Sequence, residues 1–426
     1  MPMLNRYAPE KIMPGRPQAG GPLRWAALAF HPAAGPLAVL SCALLALAFK
    51  LVLSYHVYGS QDVTSWITYA DTIREYGTFK IYSLLEPYNH PPLISLILKI
   101  THIISLKTHL AFPFVFRMIP ILSDLASIFI IWKLLEDRPA RIRVPLCMIC
   151  CLNPVNFLVS GFHGNTDPLF IMLVLLAVHF TRKGSIFFAG LSYGASLCVK
   201  IVPVLLFPLF IFYINREKDK WLFMAVAMAL PAAVFLPYLI HDFEHVRHNI
   251  FAYNSIPFIW GLQRIATMIT FNTDLDPALR LLAVKAFYFH IAYGRWFLLG
   301  IIVLFSKMFM SKQRLSLTAG VFFVFCLFLI ITQGFGVQYL SWLSYFAVMI
   351  TPWTGTLFVL AGGYLLYRVY FCLNSSASPY GVAPDLLNPS SNPEQALSLW
   401  IWFLVILSLI EFAYNNRALL VGKDRA

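Results

Sequence analysis

The chain has 426 residues, 59% of them hydrophobic and 12% charged, with a mean hydropathy of +0.72. A soluble domain carries about a quarter charged residues, so this composition excludes an ordinary soluble enzyme and indicates an all-α polytopic membrane protein. The net charge of +13 lies in short Lys/Arg clusters between apolar runs, with no basic stretch interleaved with aromatics. It therefore reads as orientation signal rather than as nucleic-acid binding.

Residues 1–36 are rich in Pro and Gly and carry Arg6, Lys11, Arg16 and Arg24. No apolar core with a small-residue cleavage site follows the first charges, so they read as a cytoplasmic tail. The first span is predicted over 37–55, running outward. Residues 58–92 follow as an external loop, YGSQDVTSWITYADTIREYGTFKIYSLLEPYNHPP, which holds Asp62, Asp71, Glu75 and Glu86 in a chain poor in acids. Residues 93–106 are too short for a span, which needs about 20 residues, and carry Lys99 and His102. They read as a re-entrant or interfacial helix.

The span at 112–135 then delivers Arg138, Arg141 and Arg143 to the cytoplasm, and the later clusters fall into the same phase. Spans are predicted over 144–159 and 168–180, and over 185–214 as two short helices meeting outside at Lys200 beside Pro203. Further spans cover 221–240, 290–306, 315–332, 340–350, 354–371 and 397–414. External segments fall at 161–167, 241–288, 333–339 and 374–395. The sum is about twelve spans with both ends inside. The division is a tail at 1–36, a catalytic module at 37–350, further helices at 351–414 and a cytoplasmic tail at 415–426.

Seven scattered cysteines lie in apolar segments and imply no disulfide framework. The Cys147, Cys150, Cys151 spacing reads as packing, because no His stands at ligand spacing. His241, His245 and His248 have spacing open to a metal or to a hydrated loop.

In this phase the unusual polar residues gather at the outer ends: Asp62, Asn89, His90, His163, Asn165, Asp167, Lys200, the 241–248 cluster with Arg247, Gln333 and Gln338. Ionisable groups at a membrane are costly and mark functional candidates. Asp62 can serve as a general base for an attacking hydroxyl, the reading favoured over a cap of the surface helix at 63–76. Lys200 must find an anion, such as a phosphate, or snorkel to the interface. Asn89 and His90 sit in a rigid PYNHPP turn, and Asp167 before Pro168 suits a helix cap. Arg117 and Asp124, seven residues apart on one helix face, read as helix packing.

A first external loop with an Asp soon after the first span, then YNHPPL, resembles the GT-C superfamily of integral-membrane glycosyltransferases. FR…SDL (116–125), NPVNFLVSGFHGNTDPLF (153–170), ASLCVKIVPVLLFPL (195–209) and GVQYLSWL (336–343) follow in that order. The pattern is similar to the mannosyltransferase branches that use polyprenyl-phosphate sugars, and it covers about residues 37–350. The resemblance implies inverting transfer of a monosaccharide, mannose favoured, from a polyprenyl-phosphate donor to a hydroxyl of a lipid-linked or glycan acceptor. It implies Asp62 as catalytic base and Lys200, His163 and Arg247 at the donor phosphate. Asn89, His90, Asn165, Asp167 and Gln338 would shape the substrate pocket. Many relatives carry two acids where this chain has Gln61 and Asp62, which disfavours a divalent metal, an ion wanting more than one hard oxygen ligand, and no other cofactor is expected. The expected partners are the lipid donor, the acceptor and membrane lipids. The expected setting is a bacterial inner membrane in preference to the ER, with the site on the periplasmic or luminal side. A secondary transporter or lipid flippase is the rival class; it would place charges at the midplane in repeated halves, and no internal repeat is evident.

Overall fold

A computed structural model describes residues 34–253, 255–373 and 393–420. Most of the tail expected at 1–36 and of the loop expected at 374–395, and half of the tail expected at 415–426, lie outside them. The described residues form helices and turns, with no strand among them. This is an all-α polytopic membrane protein.

The first helices are α1 (Ala34–His56), α2 (Gln61–Tyr76), α3 (Pro92–Thr108), α4 (Phe112–Leu134) and α5 (Ala140–Cys151). They are followed by α6 (Asp167–Arg182), α7 (Ile186–Val199), α8 (Phe207–Tyr213), α9 (Glu217–His241) and α10 (Gly261–Phe271). The last are α11 (Pro277–Phe305), α12 (Leu317–Ile331), α13 (Leu340–Ile350), α14 (Pro352–Tyr367) and α15 (Pro393–Asn415). Six stretches are long and apolar enough to cross a membrane alone: Gly35–His56, Phe112–Leu134, Ala140–His163, Glu217–His241, Pro277–Met310 and Ala396–Asn415. The other predicted spans include shorter apolar helices such as Ile186–Val199 and Val202–Tyr213. At 1.5 Å per residue these fall short of a ~30 Å hydrocarbon layer. They meet at Lys200, where the backbone turns extended before Pro203.

Sequence explains the joints. Proline takes the first turn of α3, α4, α6, α11 and α14, where its missing N–H is not needed. Glycine sets one close crossing. A Cβ on Gly194 of α7 would stand 2.7 Å from the Ala227 carbonyl of α9, so the two backbones approach as small residues allow in membranes. The end of the bundle away from Asp62 carries the basic turns, tied by Arg182 to the Leu134 carbonyl at 2.6 Å and to Asp137 at 2.8 Å.

Two buried charges organise α4. Arg117 is 1% exposed, and its guanidinium is satisfied by main-chain carbonyls. Nη2 donates to Ser54, Val57 and Tyr58 at 3.0, 2.6 and 3.1 Å, Nη1 to Gly161 and Phe162 at 3.2 and 3.3 Å, and Nε to Pro113 at 3.0 Å. These are the open carbonyls at the end of α1 and at the end of the Val159–His163 turn, where a cation is favoured. Two turns down, Asp124 accepts from Lys50 at 2.7 Å and from the Tyr345 hydroxyl at 3.1 Å, all buried. The packing role read for Arg117 and Asp124 therefore has named partners on α1 and α13.

The first loop is braced from outside. Asn249 donates to the Tyr82 and Leu85 carbonyls at 3.0 and 3.3 Å, and Phe79 packs on Tyr238. α2 lies against α3, so the polar face starting at Asp62 is held at one end of the bundle.

Candidate active site

Gly59 and Gly164 shape the two turns that bring the site together. Both have positive φ, 110° and 70°, and a Cβ would meet the Phe162 carbonyl at 2.7 Å or Arg117 Cγ at 2.9 Å. Only glycine turns the chain that tightly against the buried Arg117. The first turn releases the chain into Ser60 and α2, and the second into Asn165 and α6.

Asp62 and His163 meet there. His163 Nε2 stands 3.1 Å from Asp62 Oδ2, and Asn165 Nδ2 donates to the same oxygen at 2.9 Å. The Asn165 amide is itself oriented, because its Oδ1 accepts the Thr166 N–H at 2.7 Å. No donor among the described residues reaches Asp62 Oδ1, and the side chain is 41% exposed into a cavity of about 420 Å³. One oxygen is anchored and the other is open. Asp62 is not the helix cap, a position that falls to Ser60; it lies in the first turn, where the free N–H groups favour an anion.

Burial pushes the Asp62 carboxyl up, but the charge and hydrogen bond of His163, with the bond from Asn165, outweigh it and hold it at about 2. His90 moves the other way from its usual value. Burial and then the Lys200 charge lower its imidazole to about 3, against the opposing pull of Asp62. Its ring packs on Trp66, with centroids 4.4 Å apart.

The structure brings together nearly all of the residues singled out from sequence. Asp62, Asn89, His90, His163, Asn165, Lys200 and Gln338 line the one cavity. Asp167 stands directly behind it, fully buried, and accepts from Lys200 Nζ at 2.6 Å and from the Trp342 indole. The anion that Lys200 requires is thus supplied within the chain, 33 residues away, while its ammonium keeps two further N–H donors. Its charge also faces the Trp342 and Tyr339 rings at 5.3 and 5.6 Å.

Arg247 does not join them. Its guanidinium reaches back one turn to Glu244 at 2.9 Å, is half-exposed, and is absent from the cavity wall. The three histidines do not converge either: His245 bonds Asp242, His248 faces Glu86 and His241 packs on Phe79. Cys147, Cys150 and Cys151 are free and buried, as packing residues are.

Sequence reasoning missed Ser60, Trp66, Tyr253, Arg264 and Tyr370, all on the cavity wall. Trp66 stands four residues after Asp62, on the same helical face, a signal that was available. Arg264, 2% exposed on α10, lay in a segment without a motif. The wall also includes Leu365, Val369, Tyr370 and Ser398, beyond the stretch assigned to the catalytic module.

No protein-family model matches the chain. It is similar to GPI mannosyltransferase 1 of Saccharomyces cerevisiae, 27% identical over 190 residues, which are 41% of this chain and 45% of the relative. The Kluyveromyces lactis protein of the same name is 25% identical over 175 residues, 39% of this chain and 42% of the relative. That of Candida albicans is 22% identical over 160 residues, 37% and 39% of the two chains. The chain thus spans less than half the length of these relatives. They are yeast proteins and lend no support to the preference for a bacterial membrane. Their shared name supports the resemblance to GT-C-type membrane mannosyltransferases drawn from the motifs.

Proposed function

We propose that the chain is a membrane mannosyltransferase, moving a mannosyl group from a polyprenyl-phosphate donor to a hydroxyl of a lipid-linked acceptor. The observation that carries this reading is Asp62, with Oδ2 tied to His163 and Asn165 and Oδ1 open to the cavity. The names of the yeast relatives support mannose as the sugar and a lipid-linked glycan as the acceptor. The basic turns at the opposite end support an external or luminal site, by the positive-inside rule; with yeast relatives, we favour the ER lumen.

In the transfer, the acceptor oxygen attacks the anomeric carbon and its proton passes to Asp62 Oδ1. The bond between that carbon and the phosphate oxygen breaks on the opposite face, its electron pair leaving with the lipid phosphate. Asp62 is already ionised, so it is ready to accept as the hydroxyl becomes acidic in the transition state. Lys200 and Arg264 line the same cavity and face the charge that develops on the phosphate. Ile201, Val202, Ile256 and Ile259 give the cavity an apolar wall suited to a lipid-borne substrate. No bound metal ion takes part in this reading; the neighbours of Asp62 Oδ2 are N–H donors, not the oxygen ligands a hard cation takes.

Reconstitution with labelled polyprenyl-phosphate mannose and a membrane lipid extract tests this. Wild type is expected to form a labelled glycolipid, and Asp62→Asn to lose about 10²–10⁴ of the rate, the usual weight of a general base. Labelled lipid that crosses the bilayer without forming a new glycosidic bond would overturn the transferase reading in favour of transport.

A further inference from the structure

His163 takes no part in the bond changes, yet the open geometry of Asp62 depends on it. The Asp62 carboxylate lies 3.1 Å from Nε2, which leaves Nδ1, the other ring nitrogen, to a second partner. Ser60 answers it: its hydroxyl lies 2.7 Å from Nδ1 and 3.2 Å from the His163 carbonyl. Both nitrogens of the imidazole are then approached, Nδ1 by Ser60 at 2.7 Å and Nε2 by Asp62 at 3.1 Å.

The ring face is held separately. Tyr370 stacks on His163 with centroids 5.1 Å apart and planes 15° from parallel, and is itself 5% exposed. Tyr370 lies in Arg368–Leu373, the continuation of α14, and Phe162 packs beside it with centroids 5.3 Å apart. The His163 ring is therefore held at an edge by Ser60 and on one face by Tyr370.

We propose that Ser60 and Tyr370 are positioning residues, fixing His163 so that its Nε2 stays against Asp62 Oδ2 and Oδ1 alone faces the acceptor. This rests on reading Asp62 as the base. It makes the helices after residue 350 part of the catalytic unit, since Tyr370 comes from them. A ring free to swing would release Oδ2, and the carboxylate could then rotate and present either oxygen.

The test uses the full chain in lipid nanodiscs. Ser60→Ala and Tyr370→Leu are each expected to lower kcat about tenfold, the weight of one hydrogen bond or stack, with KM unchanged. Ser60→Thr restores a hydroxyl and Tyr370→Phe restores the stack, and each is expected to recover most of the loss. A second measurement is independent of turnover. Diethyl pyrocarbonate attacks an unprotonated imidazole nitrogen, so Ser60→Ala, by uncovering Nδ1, should speed modification of His163, read by peptide mass spectrometry. If wild type transfers no sugar, the transferase reading fails by itself and the modification rate still decides the positioning claim. Unchanged kcat in both Ser60→Ala and Tyr370→Leu, a loss in KM alone, or an unchanged modification rate in Ser60→Ala would overturn it. Should Tyr370→Leu fail to fold, the Ser60 pair decides.

Discussion

Two titratable groups on the cavity wall, Asp62 and His90, set how the fold responds to acid. The Asp62 carboxyl is held at about 2 in the fold, below the ~3.9 of an unfolded aspartate. The stabilisation it gives is full well above pH 4 and is lost progressively as pH falls from about 4 to 2. The His90 imidazole is held at about 3, against ~6.5 when unfolded. Between those values the unfolded chain binds the extra proton, so stability declines as pH falls from about 6.5 toward 3. Thermal midpoints in detergent at pH 7 and pH 5 check this. Wild type is expected to lose stability over that interval, and His90→Gln to lose less. An equal loss in both would show that His90 is not the group responsible.

Among the elements, α4 bears the heaviest polar load, and the Lys50–Asp124 pair shows how it is carried. Both side chains are under a tenth exposed, and Tyr345 supplies the second bond to the carboxylate. Removing one partner strands the other charge in the bundle, at a cost of about 3–5 kcal/mol, whereas replacing both with apolar groups of similar size can be neutral. Asp124→Leu is therefore expected to lower the thermal midpoint sharply, and Lys50→Met with Asp124→Leu to recover most of it. Sequence made Asp124 visible as a charge in an apolar helix, but not its partner 74 residues away on α1. The same limit applies to Lys200: its need for an anion was legible, and Asp167 as that anion was not, since pairing across helices leaves no local pattern. Arg247 is the opposite case. Its partner Glu244 lies three residues back, a spacing that predicts a local ion pair and outweighs a role at the donor phosphate.

On the scale of the whole molecule, the alternation of apolar runs with basic clusters was enough to place the polar residues at one end, and the cavity gathers them there. What stayed hidden is aromatic. With 16% of the chain Phe, Trp or Tyr, nothing in the sequence separates Tyr370, which meets the site, from the other rings. The glycines at 59 and 164 were equally silent, because positive φ is a property of the folded turn. Arg117 ties these scales together. Arg117→Met leaves carbonyls from two turns unpaired, each worth about 1–3 kcal/mol, and is expected to reduce folded yield and melting temperature more than any cavity-wall substitution. Size-exclusion profiles and thermal melts of the purified variant check it; a wild-type melt would show that the carbonyls find other partners.

That one guanidinium also has a mechanical meaning. Bilayers differ in thickness, and spans adjust to them by tilting. The chain segments that carry Asp62 and His163 hang from the same side chain, through the carbonyls of 54, 57 and 58 on one side and 161 and 162 on the other. When α1 leans, both ends of the pair are drawn along by a common anchor, as two hands on one rail. The reacting oxygen keeps its neighbour while the depth of the pair in the membrane changes, so lipid thickness should alter how a substrate reaches the site before it alters the site.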